Sequence, residues 1–167
     1  MPELSASSHA TNHNPLDLVE EIASANEWPF DRTSDEELIA QIAGRWGEYR
    51  LYFAWSEDMS ALQFSCALDV RVPKHRRNVV TTFLALANER LWLGHFDLSS
   101  EDDLPMFRHT VPLRGVRHAS VEQVEDLVDA ALSECDRFYP AFHYVIWGGK
   151  DPGEAVTAAC LDPVGEA

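Results

Sequence analysis

The sequence predicts an α+β fold: an antiparallel sheet with helices packed mainly on one face, in the order α-βββ-α-ββ-α. Three observations predict it. Adjacent segments alternate apolar and polar residues with a period of two, as strands with one buried and one wet face do. Other segments carry apolar residues at i, i+3, i+4 and i+7, as helices laid on a core do. Hydrophobic residues make up 46% of the 167, enough for one sizeable core and too many for wholesale disorder.

The elements follow in order. Asn14-Pro15 combines a capping side chain with proline at the first helical position, and Leu16, Val19, Ile22 and Ala23 follow at helical spacing to about Asn26. "WPFDRTSD" reads as a short extended piece and a turn. "ELIAQIAG" is the first strand. In "EYRLYFAW", Tyr49, Leu51, Phe53 and Trp55 share one face and Arg50, Tyr52 and Ala54 the other. "SEDMS" is a hairpin loop. "LQFSCALDVRV" places Leu62, Phe64, Cys66, Leu68, Val70 and Val72 on one face and Gln63, Ser65, Asp69 and Arg71 on the other.

Pro73 ends that strand. A helix from about His75 to Leu91 follows, with the stripe Val80, Phe83, Leu84, Ala87 and Leu91 and with Gly94 suited to its end. "HFDL" and "PMFRHTVPL" form a second hairpin around "SSEDD". Ser120 and Gln123 make a capping box for a long helix whose stripe runs from Val124 to Cys135 and on to Phe138 and Tyr139, where Pro140 should kink or interrupt it. Asp151 to Glu154 opens a last short helix.

The 28 acidic and 13 basic residues leave a net charge of -15. Such a surface repels nucleic acid and anionic lipid and suits a cationic partner. The three cysteines are widely spaced without CxxC, which fits a reduced, cytoplasmic setting. "MPELSASSHATNHN" has neither a basic nor an apolar region, so no signal peptide is expected, and the apolar uncharged run Phe138–Gly149 is too short to span a bilayer.

No catalytic signature is present: GxSxG, HExxH, Walker and dinucleotide patterns are all missing. No catalytic residue, metal or cofactor is therefore expected. His95 and Asp97 point the same way along a strand and, with Arg108, define the alternative of a small-molecule binder or enzyme. His109 reads as a hydrogen-bonded core histidine, Glu101, Asp102 and Asp103 as a solvated turn, and Cys66 as inert. Trp55 and Trp147 read as core or rim packing. The basic cluster Lys74, His75, Arg76 and Arg77 has two readings: an anion-recognition corner, or a corner paired with the protein's own carboxylates, the latter favoured.

Taken together, "WGEYRLYFAW", "RRNVVTTFLALANERLWLGHFDL", "FRHTVPLRG" and "FYPAFHYVIWGGKDPGEAV" resemble the YbjN family of bacterial sensory transduction regulators over roughly Asn14 to Leu161. The resemblance implies a fold similar to class I type III secretion chaperones, which are small, acidic, dimeric proteins that bind an extended stretch of a client. It carries no catalytic motif. It divides the chain into a flexible lead over 1–13, a single YbjN-like domain over 14–162 and a flexible tail over 163–167.

The expected function is a non-enzymatic, cytoplasmic protein-binding module, chaperone-like or regulatory, with an unidentified protein partner. Arg50, Tyr52, Arg71 and Arg108 on the wet sheet face are the candidate partner-binding residues, since an open face or edge can accept an extended segment. The resemblance also implies a homodimer at the middle helix and the strand after it. "RLWLGHF" supports this, because Leu91, Trp92, Leu93 and Phe96 crowd into seven residues; Arg90, Trp92 and Phe96 are the candidate interface. The other possibility is that "AFHYVIWGG" covers Trp92 in cis.

Overall fold

The computed structural model describes residues 13–161, so most of the lead and the tail anticipated at the two ends lie outside the described residues. The elements are α1 (Pro15–Ala25), β1 (Phe30–Arg32), β2 (Glu37–Ala43), β3 (Glu48–Ser56), β4 (Ala61–Ala67), a 3-10 turn (Lys74–Arg76), α2 (Arg77–Asn88), β5 (His95–Leu98), β6 (Pro105–Pro112), α3 (Val121–Ile146) and α4 (Pro152–Leu161). The order matches the expectation, with β1 added from the extended piece before the first hairpin.

All strand pairs are antiparallel, in the order β1-β2-β3-β4-β6-β5. Four of the five pairings join strands adjacent in sequence; β4 with β6 is the exception, Gln63 facing Thr110 and Cys66 facing Phe107. The β4 ladder stops at Ala67 rather than running to Val72. Leu68 N–H still reaches the Pro105 carbonyl (3.0 Å), but proline has no N–H to return. Val72 N–H then bonds the Asp103 carbonyl (2.8 Å), so Leu68, Val70 and Val72 stay buried as the alternation requires.

The inner face collects Leu38, Tyr49, Leu51, Phe53, Leu62, Phe64 and Cys66, all 2% exposed or less. α1 packs against β2 and β3, α3 against β4 and β6, and α4 against α2 and α3. Tilted and edge-on rings run through this core without a break, from Phe53 to Phe64 (5.0 Å), Phe107, Phe96 and then Phe138, Phe142 and Phe83 on the helices. Gly94 lies tight against these rings: its φ is +68°, and a Cβ there would meet the Phe107 ring at 2.4 Å.

α3 runs unbroken through Pro140, contrary to the expected interruption. Proline leaves the carbonyl four residues back without its helical donor. That carbonyl is Asp136's, and the Trp46 indole N–H takes it at 3.0 Å. The Asp136 carboxylate completes the joint, accepting from Arg45 N–H (2.8 Å) and the Tyr49 hydroxyl (2.7 Å). Burial, and then this bond, push the Tyr49 phenol well above its ordinary value. The β2–β3 turn is thereby clamped to the middle of α3, with Trp46 stacked parallel to Tyr139.

Candidate functional site

The outer face of the sheet carries no helix, and its side chains fall into rows fixed by strand register. One row crosses all six strands: Asp31, Ile39, Tyr52, Ser65, Arg108, His95. The next holds Gln41, Arg50, Ala67, Met106 and Asp97. Arg50 and Arg108 are exposed and Tyr52 is half-buried among small neighbours such as Ala54 and Ser65.

Three shallow, open hollows adjoin on this side. Arg50 and Arg71 line one of about 290 Å³ together with Gln41, Glu48 and Asp69. Tyr52, Gln63, His95 and Arg108 line one of about 270 Å³. Ser65, Asp97, Ser99, Glu101 and Arg108 line the largest, about 460 Å³. Arg50, Tyr52 and Arg108 thus lie on one face, while Arg71 sits beyond the end of β4 and joins them at the rim.

Arg108 is held by Asp97 at 3.1 Å, both side chains being about half exposed (49% and 50%). Such a pair contributes little to stability, about 0 to 1 kcal/mol, and remains available to exchange partners. His95 shares the Arg108 hollow but not the Asp97 one. No enclosed cavity gathers His95, Asp97 and Arg108 among the described residues. The geometry for acid–base work, a base within reach of an orienting group and shielded from water, is not assembled there.

His109 is half-buried on the inner face rather than a core residue. Burial, and secondarily His95, lower its pKa. The basic cluster divides in two. Arg77 binds Asp103 at 2.6 Å. Arg76 donates to the Val145 carbonyl at 2.5 Å, placing its charge at the negative end of α3. Lys74 and His75 are exposed. Arg76 and Arg77 form a structural joint, and Asp103 is part of it rather than of a wholly solvated turn; its φ is +55°.

The candidate interface residues separate as well. Phe96 is 2% exposed inside the protomer's own core, so it is withdrawn from any interface: α3 supplies the second wall that "RLWLGHF" alone does not reveal. Leu91 and Leu93 pack partly against the core. Trp92 is 74% exposed, so the C-terminal segment does not cover it. Arg90 is exposed, and its carbonyl accepts from Arg137 (3.5 Å). Trp55 is core, whereas Trp147 is a rim residue, 57% exposed with its ring beside His143.

Several important residues carried no local signal. Cys66 and Cys135 meet in the core with sulfurs 3.8 Å apart, and burial pushes the Cys135 thiol up. Glu134 is buried beside Arg137. The guanidinium approaches to 2.9 Å but outside hydrogen-bonding geometry, and burial raises the carboxyl's pKa against the opposing pull of Arg137. Asn88, the last residue of α2, binds both backbone groups of Phe96, accepting from its N–H (2.6 Å) and donating to its carbonyl (3.1 Å).

No helix of the described residues is long and apolar enough to cross a membrane, and no group of three or more metal-ligating side chains is assembled among them. The model of the YbjN family, described as "Putative bacterial sensory transduction regulator", matches residues 15–143. Among solved structures, the chain is similar to the crystal structure of YbjN from E. coli, described as "a putative transcription regulator". The match has 11% identity and a TM-score of 0.51, and covers 72% of this chain and 85% of that one. At that identity the likeness speaks for the fold alone. None of the curated proteins matches.

Proposed function

The chain belongs to the YbjN family, and from that premise we propose that it is a cytoplasmic, non-enzymatic protein-binding module, regulatory or chaperone-like, whose partner lies on the outer face of the sheet. The observation that carries this reading is the helix-free face with its in-register row and its cations. In a chain of net charge -15, Arg50, Arg71 and Arg108 gather on and beside one open surface, interleaved with Glu48, Asp69 and Asp97. Arginine's planar fork suits carboxylates and backbone carbonyls, and Tyr52 offers a rigid amphipathic surface between them. The open hollows favour a broad macromolecular contact over a small enclosed substrate, for which a concave, mostly buried site is the norm.

A second copy of the chain is proposed to meet this one around Arg90 and Trp92. The motive is Trp92 itself: a large aromatic left 74% exposed is a poor solvent residue and a good interface anchor. Sedimentation equilibrium on wild type and Trp92→Ala tests this, and a monomeric wild type or an unweakened mutant dimer counts against it.

The face is tested by a photo-crosslinking amino acid placed at residue 52 and, as control, at residue 122 on the exposed start of α3, in a bacterial host. A protein adduct at residue 52 that disappears with Arg50→Glu/Arg108→Glu supports the reading. Equal adducts from both positions, untouched by charge reversal, overturn it.

A further inference from the structure

The sheet has two edges, and they are chemically unlike. At β5 three of the four edge-facing groups of Phe96 and Leu98 are already spent: Phe96 N–H and C=O are both bound by the Asn88 amide, and Leu98 N–H donates to Asp97 Oδ1 at 2.9 Å. Asn88 there does what a neighbouring strand would do. At β1 the register places Asp31 and its neighbours Pro29 and Thr33 toward β2, through Gln41 N–H to the Pro29 carbonyl (2.9 Å) and Thr33 N–H to the Glu37 carbonyl (3.1 Å). Alternation then turns the N–H and C=O of Phe30 and Arg32 outward. No side chain among the described residues caps them. One edge is largely plugged and the other is open.

The open edge is also strongly charged. Glu27, Asp31, Asp35, Glu36 and Glu37 lie in or beside it, all exposed. The cation among them, Arg32, is bound by Asp17 (2.7 Å) and Glu20 (2.9 Å) of α1 and neutralises none of the five. Phe30, 36% exposed, adds an apolar contact in the middle of this acidic surround.

We propose that the β1 edge docks an extended, lysine- or arginine-bearing segment of a partner protein by β-augmentation. The main-chain groups of Phe30 and Arg32 demand an extended occupant, because only a strand presents its own donors and acceptors at the matching spacing. The five unneutralised carboxylates demand a basic one. With two residues of edge on offer, backbone pairing alone is weak, so charge supplies both the steering and the choice of partner. A segment of opposite character is repelled by the same carboxylates, which is how so short an edge remains unaggregated in the free protein. The site does not rest on the outer-face reading and stands or falls separately from it.

The test uses the full chain and a short, end-blocked synthetic peptide alternating Lys and Val, with the Glu–Val counterpart as control. Amide hydrogen exchange resolved by NMR reads the edge, and fluorescence anisotropy reads affinity. The Phe30 and Arg32 amides are expected to exchange freely in the free protein and to gain protection with the Lys peptide. Affinity is expected to fall about tenfold or more from low to high salt, and about tenfold in Asp31→Asn/Glu36→Gln/Glu37→Gln. Phe30→Pro, which removes an outward N–H where an edge strand tolerates proline, should abolish the protection while melting close to wild type. Arg50→Glu/Arg108→Glu should bind the peptide unchanged. Protection appearing at Phe96 or Leu98 instead, equal binding of the Glu peptide, or no binding at low salt overturns the proposal. So does a free protein whose Phe30 and Arg32 amides are already protected, since its own terminus or a second copy then occupies the edge.

Discussion

Replacing Trp46 with Phe tests how a proline is accommodated in the middle of α3. Interior proline costs a helix about 3 kcal/mol relative to alanine, part of it the lost backbone hydrogen bond and part a clash with the preceding turn. Here the orphaned Asp136 carbonyl is bound by the Trp46 indole at 3.0 Å. Phe at position 46 keeps a ring over Tyr139 but removes the N–H. The site is half open, Trp46 being 47% exposed, so water partly replaces the donor and the expected loss is about 0.5 to 1 kcal/mol. In the Pro140→Ala background the helix's own N–H reclaims the carbonyl, and the same Trp46→Phe change should cost close to nothing. The coupling energy across the cycle is therefore about 0.5 to 1 kcal/mol. Urea unfolding of the four proteins followed by circular dichroism measures it. A Trp46→Phe cost equal in both backgrounds refutes the account.

Three further outcomes are expected. Phe83→Ala, which empties a fully buried site between Phe138 and Phe142, should cost about 3 to 5 kcal/mol; a mutant that melts like wild type would show that α2 does not pack as described. The Glu134 carboxyl has a folded pKa raised above its ordinary value of 4.5, so its contribution is fully present below that value and is lost as pH rises through the folded one. Glu134→Gln should thus gain stability relative to wild type as pH is raised from acid toward neutral, and a pH-independent difference in Tm would contradict the shift. Asn88→Ala strips the amide donor and acceptor from the outer side of Phe96 and should cost about 1 to 3 kcal/mol, with association beyond the wild-type state in sedimentation velocity as the β5 edge is exposed; unchanged stability and a sedimentation profile identical to wild type at every concentration would deny Asn88 its role as a plug.

The features legible in the sequence were those encoded by local periodicity. Alternation in "EYRLYFAW" and "LQFSCALDVRV" assigned every inward side chain correctly, even beyond Ala67 where the ladder fails, because burial follows the pleat while the hydrogen bonding depends on Pro105 across the sheet. The outer-face set Arg50, Tyr52 and Arg108 was legible for the same reason. Features that need two distant segments were not. Pro140 reads as a break unless Trp46 is known to lie over it. Asp136 is one carboxylate among 28 until two groups of the β2–β3 turn and the Tyr49 hydroxyl of β3 converge on it. Phe96 looked surplus to its own helix and strand because the wall that buries it, Phe138 and Phe142, arrives from α3. β1, three residues long, is too short to display any period.

The β4–β6 pairing divides the molecule in a way that its single core conceals. Up to Pro73 the chain is a meander in which every strand pairs with its sequence neighbour; after it comes a hairpin wrapped by three helices. Phe53 and Phe64 belong to the first piece, and Phe83, Phe96, Phe107, Phe138 and Phe142 to the second, so neither half can close its aromatic core alone. Completing the fold is then an association reaction within one chain, with the connection at Lys74–Arg77 setting the effective concentration of the two halves. Arg77 on Asp103 and Arg76 on Val145 fix the geometry of that tether, so the basic corner governs how readily the halves find each other as well as how firmly they stay joined.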